Sequence, residues 1–107
     1  MMTFVNVLRV PSARESEFVE KWDAGADYVR GQSGLVWTSL HKATSEGDQL
    51  RYFTIAVWES REHFATATAS EWWRNFSREF GFSSSSADFG AEPSVCDVIR
   101  AGGPFEP

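Results

Sequence analysis

Between Thr3 and Val10 apolar residues recur without the gaps of a helical period: Phe4, Val5, Val7, Leu8 and Val10. The pattern predicts a strand on which Phe4, Asn6, Leu8 and Val10 share one side, so an amide interrupts an otherwise apolar face. Pro11 ends it. Ser12-Ala13-Arg14-Glu15 has the spacing of a capping box, with the serine hydroxyl accepting from a first-turn N–H and the glutamate reaching back. The helix it opens runs to about Arg30, because Phe18, Trp22, Ala26 and Val29 recur at three- and four-residue spacing. Gly31 and Gly34 stop it.

A second strand is predicted over Leu35 to Lys42 and a third over Gln49 to Trp58, joined as a hairpin by the turn residues Thr44 to Asp48. On the third, Tyr52, Thr54, Ala56 and Trp58 share a side. Ser60 caps a short helix through about Thr68. Ser70 caps another over Glu71 to Phe80, with Trp72, Trp73, Phe76 and Phe80 as its apolar stripe. Residues 81–93 read as a loop. Its serines, Ser83 to Ser86, lack the glycine-rich strand-to-helix turn of a phosphate site, so it reads as a mobile connector carrying Phe89 and Gly90. Ser94 to Ala101 reads as the last strand and 102–107 as a tail. The order β-α-β-β-α-β makes residues 1–107 one α+β domain of ferredoxin-like plan, an antiparallel sheet with its helices on one face. The other sheet face needs cover, and a second subunit packed sheet to sheet would supply it, so a homodimer is expected.

Charge narrows the partners. Ten Lys and Arg against fifteen Asp and Glu leave a net charge of −5, the wrong sign for phosphate contacts, so nucleic acid is not expected. No polybasic stretch suggests a membrane surface, and no apolar run approaches the roughly 18 residues of a membrane helix. The first residues, Met1 to Asn6, lack the plan of a signal peptide, and a cytoplasmic protein is expected. Cys96 is the single cysteine and reads as a small buried apolar residue. With two histidines, His41 and His63, and no His-Glu-x-x-His or Gly-x-Ser-x-Gly, neither a metal centre nor a serine nucleophile is indicated. Aromatic residues make up 15% of the chain, which points instead to an aromatic-lined pocket with a few polar groups. Asn6 there is either a satisfied structural amide or a group aimed at a ligand oxygen. Trp58 is either core at a strand end or a stacking and donating wall. His41, at a strand end, is a surface imidazole or a base.

Val5-Asn6 on the first strand, then Val57-Trp58-Glu59-Ser60 leading into a helix with Phe64, resemble the antibiotic biosynthesis monooxygenase family, from about Phe4 to Phe80. The resemblance implies a dimeric ferredoxin-like α+β barrel. One branch of that family oxidises anthrone-like polyketide intermediates to quinones with molecular oxygen and no metal, flavin or haem; another binds and degrades haem. By resemblance to the first, Asn6 and Trp58 match its asparagine and tryptophan. A second asparagine is Thr54 here and a tyrosine is Phe64. The arginine of its last helix falls on Arg78 without gaps or on Ser77 with a one-residue gap, and the wheel at about 100° per residue turns Arg78 nearly opposite the aromatic stripe. The haem branch needs a histidine on that helix, where this chain has none. The expected machinery is therefore Asn6, Trp58 and Arg78 as catalytic groups, with Thr54, Phe64, Trp73 and His41 at the substrate, acting on an aromatic small molecule and O2 without a cofactor. A non-redox cyclase or isomerase, a haem-binding relative and a non-catalytic binder of flat aromatics are the alternatives.

Overall fold

The computed structural model describes residues 1–44, 49–79 and 89–102, and the backbone alone of Gln49. Strand β1 (Met2–Pro11) lies inside a four-stranded antiparallel sheet. A single 3-10 turn, Ser12–Arg14, leads into α1 (Glu15–Arg30). The hairpin strands β2 (Leu35–Lys42) and β3 (Gln49–Trp58) follow, then α2 (Arg61–Thr68), α3 (Glu71–Glu79) and β4 (Glu92–Asp97). The sheet order is β2-β3-β1-β4. The fold is the expected ferredoxin-like α+β plan, with two short helices in its second half.

Register does most of the positioning. On β1 and β3, Met2 faces Trp58, Phe4 faces Ala56, Asn6 faces Thr54 and Leu8 faces Tyr52. Directly opposed residues share a face, so the two alternating sets predicted from the sequence form one surface under the helices. That surface carries two core clusters. Met2, Val29, Ala56, Trp58 and Ala67 form one; Leu8, Val10, Phe18, Tyr52 and Phe89 form the other. The opposite face shows Val5, Ile55 and Trp37 partly exposed.

Two glycines set how closely the elements approach. Gly34 has φ +90°, the region that favours glycine, and a Cβ there would stand 2.2 Å from His63 Cγ. Its carbonyl accepts from Glu59 N at 2.8 Å, which ties the start of β2 to the end of β3. Gly25, mid-helix in α1, costs about 1 kcal/mol of helix propensity. A Cβ there would come within 2.9 Å of Phe76 Cε2, so the bare position is what lets α3 lie on α1.

Several expectations give way. The capping box does not form: no side chain caps α1, and Glu15 instead accepts from the Tyr52 hydroxyl and pairs with Lys42 Nζ at 2.7 Å. The 3-10 turn after Pro11 displaces the serine from the capping position. The caps expected at Ser60 and Ser70 are made, accepting from His63 N at 3.2 Å and Trp73 N at 3.1 Å. The last strand is Glu92–Asp97 rather than Ser94 to Ala101, because Glu92 to Asp97 pair with Met2 to Val7. The loop is correspondingly shorter, and Phe89 is no mobile residue. It is fully buried, 5.3 Å from the Phe18 ring, and its carbonyl accepts from Arg9 N at 2.8 Å. Cys96 is exposed on the edge strand β4, not buried. The turn at 45–48, the serine run and the tail from 103 lie outside the described residues.

Candidate active site

A cavity of about 250 Å³ lies between the sheet and the three helices. Its floor comes from the shared face of the two central strands: Phe4, Asn6 and Leu8 from β1, and Thr54, Ala56 and Trp58 from β3. Thr38 of β2 and Pro93 of β4 extend it sideways. Trp22, Gly25, Ala26 and Val29 of α1, Phe64 and Thr68 of α2, and Trp73 and Ser77 of α3 make the roof. The space exists because Ala56, Gly25 and Ala26 are small where their neighbours are large. Phe64 stands edge-on to Trp58 with centroids 6.0 Å apart, and stacks on Phe4 at 5.3 Å.

Among the described residues, none that lines the cavity carries an ionisable side chain. The polar atoms are therefore neutral and few. Thr38 Oγ1 donates to the Ile55 carbonyl at 3.1 Å, Thr68 Oγ1 to the Phe64 carbonyl at 2.8 Å, and Ser77 Oγ reaches the Arg74 carbonyl at 3.5 Å. Trp22 Nε1 donates to Thr54 Oγ1 at 3.0 Å. Asn6 is 4% exposed on the cavity floor. Trp58 is 1% exposed, and its Nε1 meets no acceptor among the described residues. A buried donor left unmet costs about 1–3 kcal/mol.

Of the residues expected at the site, the fold brings together Asn6, Thr54, Trp58, Phe64 and Trp73. Arg78 is not among them. It is exposed, and its Nη2 donates to Asn75 Oδ1 at 2.6 Å. Ser77, one position earlier, occupies the wall, four residues after Trp73 and so one helical turn beneath it. His41 also lies elsewhere. It faces Phe53 in the β2–β3 register, on the side of the sheet away from the helices, where Nε2 bonds to Ser39 Oγ at 2.8 Å. His63 Nδ1 bonds to the capping Ser60 Oγ at 2.7 Å. Trp72 leaves the expected stripe for the surface, 45% exposed and stacked 4.2 Å from Tyr28.

Sequence reasoning passed over Trp22, Thr68 and Pro93. Trp22 sits on the predicted apolar stripe of α1, where an indole N–H one turn before Ala26 is the available signal. Pro93 was assigned to the loop because strand pairing at Glu92 has no local signature. Among the described residues no three His, Cys, Asp or Glu side chains come together as a metal-binding group. The resolved shifts in acidity lie away from the cavity. Hydrogen bonds from Lys42 and then Tyr52 hold Glu15 below the ordinary carboxylate value. Arg14 and then Lys21 bring Glu17 down to about 2. Burial, and then the bond to Glu15, pushes Tyr52 up to about 12.

Residues 1–79 match the family model described as antibiotic biosynthesis monooxygenase. No curated protein matches the chain. Among solved structures, SnoaB from Streptomyces nogalater, a cofactor-independent oxygenase, superposes with a TM-score of 0.77 at 22% identity over 94% of each chain. A Shewanella loihica protein gives 0.70 at 25% identity, covering 94% of this chain and 95% of its own. A Deinococcus radiodurans protein gives 0.77 at 9% identity, covering 99% and 100%.

Proposed function

The chain belongs to the antibiotic biosynthesis monooxygenase family, and from that premise we propose that it is a cofactor-independent monooxygenase converting an anthrone- or quinol-like aromatic intermediate to a quinone with O2. The observation that carries the reading is the cavity wall: aromatic, without ionisable side chains, and bearing a buried indole N–H that the described residues do not satisfy. Such a site suits a flat substrate that supplies its own acidity. At about 250 Å³ it lies just below the roughly 300–1,000 Å³ of drug-sized sites, which favours a small ring system over an extended one.

In this mechanism Phe64 and Trp73 hold the ring plane, while Trp58 Nε1 and the Asn6 amide donate to the ketone oxygen as it gains enolate charge. The methylene C–H proton leaves to solvent. The carbanion passes one electron to O2, giving a substrate radical and superoxide. These combine into a C–O bond; the peroxide anion takes back a proton from solvent and then loses water, with the second methylene hydrogen, to leave the second carbonyl. One oxygen atom enters the product and the other leaves as water, with two hydrogens removed from the methylene carbon. The protein's part is to orient the ring, stabilise the oxyanion and exclude bulk water. The partly exposed apolar residues Val5, Trp37 and Ile55 on the outer sheet face support a homodimer joined through it, checked by sedimentation of the purified chain.

The test is oxygen uptake with a dihydroxyanthrone, chelator present and no cofactor added. Uptake well above the uncatalysed rate, with quinone as product, is expected. Because no described lining residue has an ionisable side chain, the pH at which kcat/KM rises should follow the substrate, moving when a more acidic anthrone is used. Product formed without oxygen uptake would replace the reading with a cyclisation; binding without turnover would replace it with a binder.

A further inference from the structure

The hydrogen bond from Trp22 to Thr54 has a consequence for the cavity's chemistry. A threonine hydroxyl has one proton to donate and two lone pairs, whereas an indole N–H can only donate. At 3.0 Å, Trp22 Nε1 therefore occupies an acceptor site on Thr54 Oγ1 and leaves the hydroxyl proton to go elsewhere. Thr38 and Thr68, the other wall threonines, donate theirs to the Ile55 and Phe64 carbonyls. Thr54 donates to no such carbonyl among the described residues. It stands on β3 two residues from Ala56 and four from Trp58, on the face that forms the cavity floor.

We propose that Trp22 is a positioning residue that turns the Thr54 hydroxyl proton into the cavity, so that Thr54 joins the Trp58 indole and the Asn6 amide as a further neutral donor to the oxygen of an aryl ketone or its enolate. This rests on reading the cavity as the site of an anthrone-like substrate, and it names the handle by which that substrate is held. The donation from Trp22 polarises the hydroxyl, which strengthens the bond it gives onward. With no charged side chain among the described lining residues, the Thr54 and Trp58 protons favour an oxygen that accepts.

The probe is xanthone carrying a carbon-13 carbonyl: a flat aryl ketone with one carbonyl and no acidic C–H, so it binds without turning over. In wild-type protein its isotope-edited carbonyl stretch is expected at lower wavenumber than in cyclohexane. Thr54→Val should move the band back up and weaken binding about five-fold, as loss of one hydrogen bond does. Thr54→Ser should restore both. Trp22→Phe should raise the band and weaken binding a few-fold in wild type, yet change neither in the Thr54→Val background, because its effect runs through the hydroxyl. Three results would overturn the proposal: an unchanged band in Thr54→Val, an equal loss from Trp22→Phe in both backgrounds (packing alone), or no xanthone binding. Oxygen uptake on dihydroxyanthrone, measured on the same proteins, separates the two ideas. The band pattern without uptake sinks the oxygenase reading and leaves this one standing; uptake with an unchanged band in Thr54→Val does the reverse.

Discussion

Tyr52 and Trp58 stand six residues apart on one face of β3, both almost wholly buried, at 4% and 1% exposure. Each is a large aromatic residue with one polar tip, and the fold treats the tips differently. The Tyr52 hydroxyl donates to Glu15, which Lys42 also grips, within a cluster closed by Phe18 and Phe89. The Trp58 indole N–H points where no described acceptor waits, beside a cavity. The same strand thus has a sealed end and an open end. Where only stability is at stake, a buried donor is matched. The unmatched one lies at the end that lines the cavity, the end where the proposed reaction is placed.

The sharpest way to break this contrast is to damage the sealed end. Phe18 is fully buried, 4.9 Å from the Tyr52 ring and 5.3 Å from Phe89. Phe18→Ala should lower unfolding free energy by about 3–5 kcal/mol, read by urea denaturation, while the fraction still folded retains its turnover number. A selective loss of turnover instead would mean the two ends are coupled. Trp58→Phe should do the opposite: turnover falls about a hundred-fold, as when one oxyanion donor is removed. Its urea midpoint should move far less than that of Phe18→Ala. Full turnover in that variant would take Trp58 out of the mechanism.

The contrast also shows what the sequence could carry. Alternation put Asn6 on the apolar side of its strand and Thr54 with Trp58 on one side of theirs, because a strand's side-chain period is two and each pattern is local; the register between the strands, which makes the two sides one face, was not legible. The Ser60 and Ser70 caps were legible for the same reason. Glu15 was not: its capping-box spacing was real, but the turn at Ser12–Arg14 and two partners from other strands took the carboxylate. Phe89 does lie in a turn, as its loop reading has it, but its burial was not legible, because nothing nearby reveals a hydrophobic slot made by Phe18 and Leu8. The choice between Arg78 and Ser77 turned on helix phase, which the aromatic stripe indicated and the structure places in favour of Ser77 in the wall. The bond from Trp22 to Thr54 joins residues thirty-two apart, and no spacing rule reaches that far.

A smaller effect sharpens the comparison at the hydroxyl itself. Tyr52→Phe keeps the ring and removes the donor, leaving Glu15 with Lys42 alone. A loss of about 1.5 kcal/mol is expected, the low end for one hydrogen bond to a charged acceptor because the Glu15 carboxylate is itself part-exposed, with oxygen uptake unchanged. Tyr52 ionises only at about 12 when folded, above the roughly 10 of a free phenol. The folded state therefore holds the proton more tightly, and its advantage is complete below pH about 10 and drains away as pH rises towards 12. Wild type should lose stability across that window faster than Tyr52→Phe.

The smallest effect lies at the acid end. Glu17, bonded by Arg14 and Lys21, has its carboxyl lowered to about 2, and Glu15 is lowered by Lys42 and Tyr52. A depressed carboxylate adds stability that is present above its unfolded value near 4.3 and disappears as pH falls through the folded one. Both groups are at the surface, so salt screens them and the change is slight. The urea midpoint should therefore drift down between pH about 4 and 2, less so in Glu17→Gln and less so at high salt. Over the folded range, xanthone affinity should stay flat, because neither the probe nor any cavity-lining residue titrates. Affinity that tracked the same acid drift would show the ion pairs reaching into the cavity, and the division between a sealed end and an open one would fail.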